Sequence, residues 1–313
     1  MAGATFTGLG VVVVNYASSE LLSQNLVPVT ESLPGAITVV VDNLSSVAER
    51  RAVSELTERH GWTGVFAQTN AGFGEGMNAG VSAARSAGAT AFLLLNPDAT
   101  IDPSSVAMLL ALVRADPRLL VAPTVLRPDG TVWFGGAHVS LEDGRIRSRA
   151  RRLEAGSDRV EPWLSGACLM VSDELWREVG GFQGDYFLYW EDVDLSYRIR
   201  RLGGRIEVVD SARAVHAEGG TQGVGSQASG TPKSTTYYYY NIRNRLVFAA
   251  RHLSVADVRR WRRTAPRVAW EVLLEGGRRQ LLRSPRPALA AARGLRDGLR
   301  LSRRGNSTRK DPA

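Results

Sequence analysis

Four short apolar runs that alternate with helical patterns constrain the fold of this 313-residue chain. The runs at 10–16 and 36–46 are rich in Val, and those at 64–70 and 90–99 follow at similar spacing. A short continuous run of β-branched residues indicates a strand that is buried on both faces. Strands that alternate with helices predict a mostly parallel, Rossmann-like α/β sheet with flanking helices.

The rest of the chain carries shorter signals. Proline after an acidic cap at 102–103 predicts a helix start, and the Asp-Gly pair at 129–130 predicts a β-hairpin. The apolar run at 167–171 predicts a further strand. Two polar stretches, 142–159 and 221–235, have the composition of loops and predict mobile segments.

Polar side chains stand at or just after the ends of the four predicted strands. They are Asn15, Asp42, Asn70 and Asp98. Because parallel strands end at the same edge of a sheet, we expect these side chains to converge there. Open α/β sheets bind their ligands beyond that edge, so the sequence predicts a ligand site at it.

The charge of the chain is distributed unevenly. Residues 1–232 hold 19 Lys and Arg against 26 Asp and Glu, whereas 233–313 hold 20 against 5. We therefore predict an α/β domain over 1–232 and a basic helical region over 233–313 with a disordered end.

Several classes of protein do not fit the sequence. No apolar run approaches the roughly 18 residues needed to span a bilayer, and the N-terminus lacks the basic segment of a signal peptide. The single cysteine, Cys168, allows neither an internal disulfide nor a cysteine-rich zinc site. These features predict a cytoplasmic protein.

Two motifs at the predicted ligand edge carry chemistry. Asp98 ends the Asn-Pro-Asp stretch at 96–98, where a carboxylate suits a divalent cation that also holds phosphate, although the same stretch is a good turn. The glycine-rich stretch 70–80 allows close approach of phosphate or sugar, although it is equally a tight strand-to-helix turn. It matches neither the Walker A loop nor the dinucleotide fingerprint.

An acidic cluster follows four aromatic residues. Glu191, Asp192 and Asp194 fall within four positions, where acidic residues also favour the first turn of a helix. Three carboxylates exceed what capping needs, and an apolar setting raises a carboxyl pKa toward that of a general base. His216 alone is more often structural, but near Asp98 it would be a metal ligand.

Seven motifs in this order resemble glycosyltransferase family 2, and most closely its rhamnosyltransferase-like bacterial branch. The resemblance covers about residues 9–222. The motifs are VVVVNY, VVVDNLSS, NAGFGEGMNAG, LLLNPDA, SGACLMV, GGFQGDYFLYWEDVDLSYRIRRLGG and VHAEGG.

The resemblance implies a GT-A fold, with a nucleotide-binding half over about 1–125 and an acceptor-binding half over about 126–232. It also implies inverting transfer of a sugar from a nucleotide diphosphate donor. It implies that Asp192 is the general base, with Glu191 orienting it or binding the acceptor, and that Asp98 and His216 bind Mg²⁺ or Mn²⁺. The donor-binding residues implied are Asn15, Asp42, Asn43, Asn70, Gly72, Phe73, Asn78 and Asn96. The acceptor-binding residues implied are Ser165, Gly166 and Trp190.

One position departs from the family pattern. Asn96 stands where the acidic metal motif of the family commonly has Asp. One carboxylate fewer weakens a metal site or makes it depend on the phosphates of the donor.

The basic region interleaves Arg with Trp, Leu and Val over 255–304. Amphipathic helices of this composition lie on anionic membranes, which suits a saccharide or polyprenyl-linked acceptor at the inner face of the cell membrane. Nucleic acid is the rival partner of a basic stretch, and it is not expected here. The sequence is compatible with a homodimer, but it does not determine the oligomeric state.

Two other functions are compatible with parts of the sequence. A sugar nucleotidyltransferase would need a glycine-rich loop with Arg and Lys after the first strand, where this chain has NYASSE. A non-enzymatic membrane or nucleic-acid adaptor would need only the basic region. The preferred function is transfer of a sugar, with rhamnose as the candidate, in the synthesis of cell-envelope polysaccharide.

Overall fold

The computed structural model of the chain describes residues 5–148, 159–217 and 233–304. These divide into two compact units. The first comprises 5–137, 162–187 and 191–217, and the second comprises the remaining described residues. The predicted disordered end, most of the predicted loop at 142–159 and most of that at 221–235 lie outside the described residues.

A nine-stranded sheet forms the centre of the first unit, in the order β3-β2-β1-β4-β11-β6-β12-β5, with β7 paired to β6. Its first four strands are parallel. β6 and β12 are also parallel, whereas β11 runs antiparallel to β4 and β6 and lies between them. The strands are β1 Leu9–Asn15, β2 Ile37–Asp42, β3 Thr63–Phe66, β4 Ala91–Leu95, β5 Ala99–Ile101, β6 Leu119–Leu126, β7 Val132–Phe134, β11 Cys168–Ser172 and β12 Arg205–His216.

Helices cover the two faces of this sheet, and local signals set where they begin. Ser46, Asp102 and Ser172 each accept a hydrogen bond from the backbone N–H three residues on, which caps α3, α5 and α6. A π-helical turn, Leu22–Leu26, joins α1 to α2. The helices are α1 Ser19–Leu21, α2 Val27–Glu31, α3 Val47–His60, α4 Phe73–Ser86, α5 Pro103–Ala115, α6 Asp173–Val179 and α7 Glu191–Arg201.

Close approach of α4 to the sheet depends on glycine. A Cβ atom on Gly80 would lie 2.4 Å from Cγ1 of Val12 and 2.9 Å from Cγ2 of Val41. Val12 and Val41 are buried in β1 and β2. The helix can therefore lie close to β1 and β2 only because this position has no side chain.

The second unit is mainly helical. It contains α8 Thr235–His252, α9 Val255–Leu274, α10 Gln280–Arg283 and α11 Arg286–Arg304. α8 and α11 approach closely, since a Cβ atom on Gly294 would lie 2.4 Å from the Tyr239 carbonyl oxygen and one on Gly298 would lie 3.0 Å from that of Arg243. A three-stranded sheet of order β10-β8-β9 is formed by β8 Ala137–Ser140, β9 Ile146–Ser148 and β10 Val160–Trp163.

The predicted architecture is confirmed: a mostly parallel sheet with flanking helices, followed by C-terminal helices. The hairpin predicted at 129–130 joins β6 to β7. The strand predicted over 64–70 is shorter, since β3 ends at Phe66. In the described part of the chain, no helix is both long and apolar enough to cross a bilayer.

Gly80→Ala tests the packing of α4. Helix propensity alone predicts that Gly→Ala in a helix stabilises the fold by up to about 1 kcal/mol. The short distances to Val12 and Val41 predict the opposite, a loss of about 1–3 kcal/mol from overpacking. Urea unfolding measures the change. The control is Ser82→Ala at an exposed position of the same helix, and a Gly80→Ala protein as stable as the control would contradict the packing argument.

Candidate active site

Asn15 and Asp42 end the two neighbouring strands β1 and β2 in paired register, and both are fully buried. Oδ1 of Asn15 accepts hydrogen bonds from the backbone N–H and the hydroxyl of Ser18, and its amide group donates to Oε1 of Glu49 at 3.2 Å. Both polar atoms of Asn15 are thus engaged in holding the turn after β1. Its predicted contact with a donor stays a prediction.

The two carboxylate oxygens of Asp42 differ in their hydrogen bonding. Nε of Arg50 donates to Oδ2 of Asp42 at 2.8 Å, and the same guanidinium group also donates to the Ala67 carbonyl. Oδ1 of Asp42 is buried and has no hydrogen-bond partner among the described residues. A buried carboxylate oxygen without a partner is costly unless a ligand donates to it.

Asn43 and Asn70 shape the glycine-rich stretch. The amide of Asn43 donates to Oδ1 of Asn70 and to the carbonyl of Gly72, both at 2.9 Å, and Oδ1 of Asn43 accepts from the N–H of Ala71. Gly72 has a φ of 90°, and a Cβ there would lie 2.2 Å from the Phe187 carbonyl oxygen. Only glycine fits at this contact.

Phe73 and Asn78 tie α4 to neighbouring loops. The ring of Phe73 lies 5.8 Å from that of Phe182. Asn78 exchanges two hydrogen bonds of 2.9 Å with the backbone of Phe182, donating from its amide group and accepting at Oδ1. Asn78 therefore supports the site through the backbone of a neighbouring loop.

The N-terminal end of β11 brings the second half of the site to the same edge. The N–H of Asn96 donates to the Ala167 carbonyl at 3.0 Å, directly after β4. One residue earlier, the N–H of Gly166 donates to Oδ2 of Asp192 at 3.0 Å. Ser165 is buried, and its hydroxyl accepts from the N–H of Ala167. The Asn-Pro-Asp turn is thus linked through 165–167 to the acidic cluster.

The two adjacent carboxyl groups of the cluster differ in their surroundings. Burial, and then the charge of Asp192, hold the pKa of Glu191 well above its usual range. Burial raises the pKa of Asp192 to about 6, against hydrogen bonds from the N–H groups of Gly166 and Val193 that favour its charged form. Glu191 is therefore the proton-retaining partner, and Asp192 is a carboxylate near neutral pH with the basicity a general base needs.

Asp194 anchors the start of α7. It is fully buried and accepts hydrogen bonds from the Tyr186 hydroxyl at 3.0 Å and from Nε of Arg198 at 2.6 Å. Arg198 also donates to the carbonyls of Val179 and Gly181. The third acid of the cluster thus fixes the helix that carries the other two.

The residues just before α7 have unusual backbone angles. Phe187, Tyr189 and Trp190 have φ values of 64°, 65° and 74°. In the first unit, the Phe187 carbonyl accepts from the N–H of Phe73 at 2.8 Å. In the second unit, the buried Asn244 donates to the carbonyls of 188 and 189 at 2.9 and 2.8 Å. Such strain persists only where surrounding contacts hold it, and it is concentrated at functional sites.

Trp190 is buried within the second unit. Its ring lies 5.6 Å from that of Phe248 and 6.3 Å from that of Trp261. This packing accounts for its burial without a ligand, and its predicted contact with an acceptor stays a prediction.

Asp98 and His216 meet where β5 pairs with β12. Oδ1 of Asp98 lies 3.0 Å from Nε2 of His216, and both side chains are buried. Among the described residues, neither Oδ1 of Asp98 nor Nδ1 of His216 makes a hydrogen bond. The amide nitrogen of Asn96 lies 3.4 Å from Nε2. A carboxylate and an imidazole arranged in this way fit a divalent cation.

The protein supplies only part of such a metal site. Within the described ranges, no group of three or more His, Cys, Asp or Glu side chains could hold a metal ion. Mg²⁺ and Mn²⁺ bind about six ligands. The remaining ligands would have to be water or donor phosphate, in agreement with the effect expected from Asn96.

Several supporting residues were not predicted from the sequence. In the first unit, Glu49 and Arg50 contact residues distant in the sequence, and no local pattern predicts those contacts. The same is true of Asn244 and the carbonyls of 188 and 189 in the second unit. The pair formed by Asp194 and Arg198 is different, because acid and base four residues apart on a helix form a recognisable pattern.

The profile of the family described as "Glycosyltransferase like family 2" matches residues 7–229. The chain belongs to this family. The match spans both the sheet and the acidic cluster. Membership confirms the resemblance in the motifs and disfavours both the nucleotidyltransferase and the non-enzymatic adaptor.

One relative belongs to the rhamnosyltransferases, the branch that the motifs resemble most. The N-acetylglucosaminyl-diphospho-decaprenol L-rhamnosyltransferase of Mycobacterium tuberculosis is 36% identical over 141 residues. This segment covers 40% of the chain and 46% of the relative, so the match spans about half the length of that protein.

Two solved structures share the fold. GalNAc-T7 with UDP, GalNAc and Mn²⁺ matches with a TM-score of 0.56 and 17% identity, over 83% of this chain and 54% of that one. A mannosyltransferase from Pyrobaculum calidifontis in complex with GDP-Man and Mn²⁺ matches with a TM-score of 0.52 and 18% identity, over 97% and 88%. At these identities the likeness concerns the fold, and it confirms the predicted GT-A architecture.

Asp192→Asn is expected to stabilise the protein above pH 6. The pKa of Asp192 is about 6 in the folded chain against 3.8 ordinarily, so the folded state binds more protons between pH 4 and 6. Stability is therefore lost as pH rises through this window. The neutral variant escapes the penalty and should gain about 1–2 kcal/mol at pH 8 but nothing at pH 4.

Urea unfolding at both pH values measures this difference. The matched control is Asp129→Asn, because hydrogen bonds from Thr131 lower the pKa of that exposed carboxyl. The control should gain no stability at pH 8. An equal effect of Asp192→Asn at pH 4 and pH 8 would contradict the raised pKa.

Proposed function

We propose that the protein is an inverting glycosyltransferase that moves a sugar from a nucleotide diphosphate donor to a hydroxyl of a saccharide or lipid-linked acceptor. The observation that carries the proposal is Asp192, a carboxylate with a pKa of about 6 that two backbone N–H groups hold at the start of α7. Membership of glycosyltransferase-like family 2 supports the reaction class.

Asp192 is the general base of the proposed reaction. It accepts the proton of the acceptor hydroxyl as the acceptor oxygen bonds to the anomeric carbon. The bond from that carbon to the diphosphate oxygen breaks on the opposite side, and the electron pair leaves with the nucleoside diphosphate. A single in-line displacement inverts the anomeric carbon and needs only one base. Neutral Glu191 beside it limits the negative charge of the cluster.

Donor binding is assigned to the sheet edge. Oδ1 of Asp42 has an unused acceptor position and would take an N–H of the nucleotide base or an O–H of the ribose. Asn43 and Asn70 hold the glycine-rich stretch, where Gly72 allows the donor to approach the backbone. The name of the mycobacterial relative supports rhamnose as the sugar, for which dTDP-rhamnose is the candidate donor.

Asp98 and His216 would hold Mg²⁺ or Mn²⁺. A bound cation supplies positive charge to the leaving diphosphate, so that this group departs without a proton. Oδ1 of Asp98 and Nε2 of His216, which lie 3.0 Å apart on buried side chains, support the assignment. With Asn rather than Asp at position 96, the protein supplies one carboxylate fewer to this cation.

The acceptor side is assigned to Ser165 and Gly166, which adjoin Asp192 in the chain of hydrogen bonds, and to Trp190. The relative's name supports a polyprenyl-linked saccharide as acceptor. Such an acceptor places the reaction at the inner face of the cell membrane, in the synthesis of cell-envelope polysaccharide.

Release of nucleoside diphosphate tests the proposed function. Incubation with a panel of dTDP-, UDP- and GDP-sugars and Mn²⁺ should give slow release from one donor, and EDTA should abolish it. Asp192→Asn should lower the rate by about 10²–10⁴-fold. Asp129→Asn is the matched control. Release from no donor, together with no donor-dependent rise in melting temperature, would contradict donor binding.

The pH dependence of kcat/KM tests the assignment of the base. A base must be deprotonated to act, so kcat/KM should rise through pH 6 and level off above it. An ordinary aspartate would titrate near pH 4. A plateau that extends down to pH 4 at constant free metal would therefore exclude Asp192 as the base.

A further inference from the structure

The apolar sides of the basic helices α9 and α11 pack inside the second unit. Ala269 and Leu273 of α9 and Ala290 and Ala291 of α11 form one buried cluster with Tyr238 of α8. The apolar faces that predicted membrane-lying helices are therefore largely buried against one another within this unit. What stays exposed is a smaller surface at one end of the helices.

That surface is formed by residues 270–289, here named the basic tip. It contains the end of α9, the short α10 and the start of α11. Gln280 anchors it, since Oε1 accepts from the Tyr238 hydroxyl at 2.8 Å and Nε2 donates to the Leu273 carbonyl at 2.6 Å. The tip is thus a fixed part of the second unit.

Three large apolar side chains of the basic tip are exposed. Leu282 on α10 is 90% exposed, Trp270 on α9 is 52% exposed and Leu289 on α11 is 54% exposed. Exposure of a single leucine is ordinary, but three such residues within the segment 270–289 favour an interaction surface.

Four arginines lie in the same segment as these apolar residues. No carboxylate of the described residues forms an ion pair with the tip arginines Arg278, Arg279, Arg283 and Arg286. The two acids of the basic tip have other partners: Glu271 pairs with Arg145 and Arg267, and Glu275 accepts from the Tyr237 hydroxyl. The tip therefore carries positive charge that its own side chains do not neutralise.

We propose that the basic tip docks the protein on an anionic lipid surface. Leu282 and Trp270 insert among the acyl chains and headgroups, and the four arginines bind the lipid phosphates. A nucleic acid would use the arginines, but it offers little to an aliphatic side chain that is 90% exposed. The inference concerns binding, and its test does not depend on sugar transfer.

Sedimentation of the full chain with vesicles tests the proposal. Vesicles of phosphatidylcholine and phosphatidylglycerol in equal parts should bind the protein, and vesicles of phosphatidylcholine alone should not. One arginine near an anionic surface contributes about fivefold in affinity. Arg279→Glu with Arg283→Glu should therefore lower binding by at least about tenfold.

The matched control is Arg51→Glu with Arg59→Glu, at exposed positions of α3 in the first unit. It changes the net charge equally and should retain binding. Equal loss in both double variants would mean that net charge alone attracts the protein, and it would overturn the proposal. Tighter binding to a DNA duplex than to the vesicles, lost with the tip variant, would assign the surface to nucleic acid instead.

A label at position 282 tests insertion directly. Cys168 is fully buried and burial raises its pKa to about 12, so it should not react with a thiol-directed dye. Leu282→Cys then provides one reactive site. Its dye should shift to the blue with anionic vesicles, whereas a dye on Val132→Cys, at an exposed position of β7, should not. The same spectrum at 282 with and without vesicles would overturn insertion.

Discussion

The position of the candidate base depends on strained backbone at residues 187–190. Three aromatic residues there adopt positive φ, at a cost of about 1–3 kcal/mol each. Hydrogen bonds offset this cost at both ends, from the N–H of Phe73 in the first unit and from Asn244 in the second. The turn leads directly into α7, where Asp194 and Arg198 fix the first turn. Within the first unit, the hydrogen bond at Phe187 and the pair of Asp194 with Arg198 constrain the backbone on both sides of Asp192, as preorganisation of a base would require.

The polar residues of the candidate site fall into two groups. The amide groups of Asn15 and Asn78 form hydrogen bonds within the protein, to Glu49 and to the backbone of Phe182, and so hold neighbouring segments in place. Asp42, Glu191, Asp98 and His216 each keep a buried polar atom that has no hydrogen-bond partner in the described ranges. A fold does not leave such atoms in its interior without cost. A ligand that bound at the second group would supply hydrogen bonds to atoms that lost theirs to water on folding. The first group holds the surrounding backbone in place.

Local patterns in the sequence were sufficient for the elements that carry the site. The valine runs predicted β1 and β2, Asp102 and Pro103 predicted the start of α5, and the acidic cluster predicted the start of α7. The antiparallel insertion of β11 between β4 and β6 depends on pairing between distant segments, and no window of sequence contains it. The packing of α11 could not be predicted for the same reason. Periodicity shows that a helix has an apolar face but not what covers that face. The contacts of Arg50 with Asp42 and of Asn244 with the carbonyls of 188 and 189 could not be predicted either, because no local sequence pattern indicates them.

The two units are interleaved along the chain. Residues 138–161 and 188–190 belong with the C-terminal helices, although they lie within the segment that charge alone assigns to the first unit. A contiguous piece ending at 232 would contain the aromatic turn but not Asn244, which holds two of its carbonyls. Removal of the C-terminal helices would therefore remove both hydrogen bonds from a turn that precedes the candidate base in the chain.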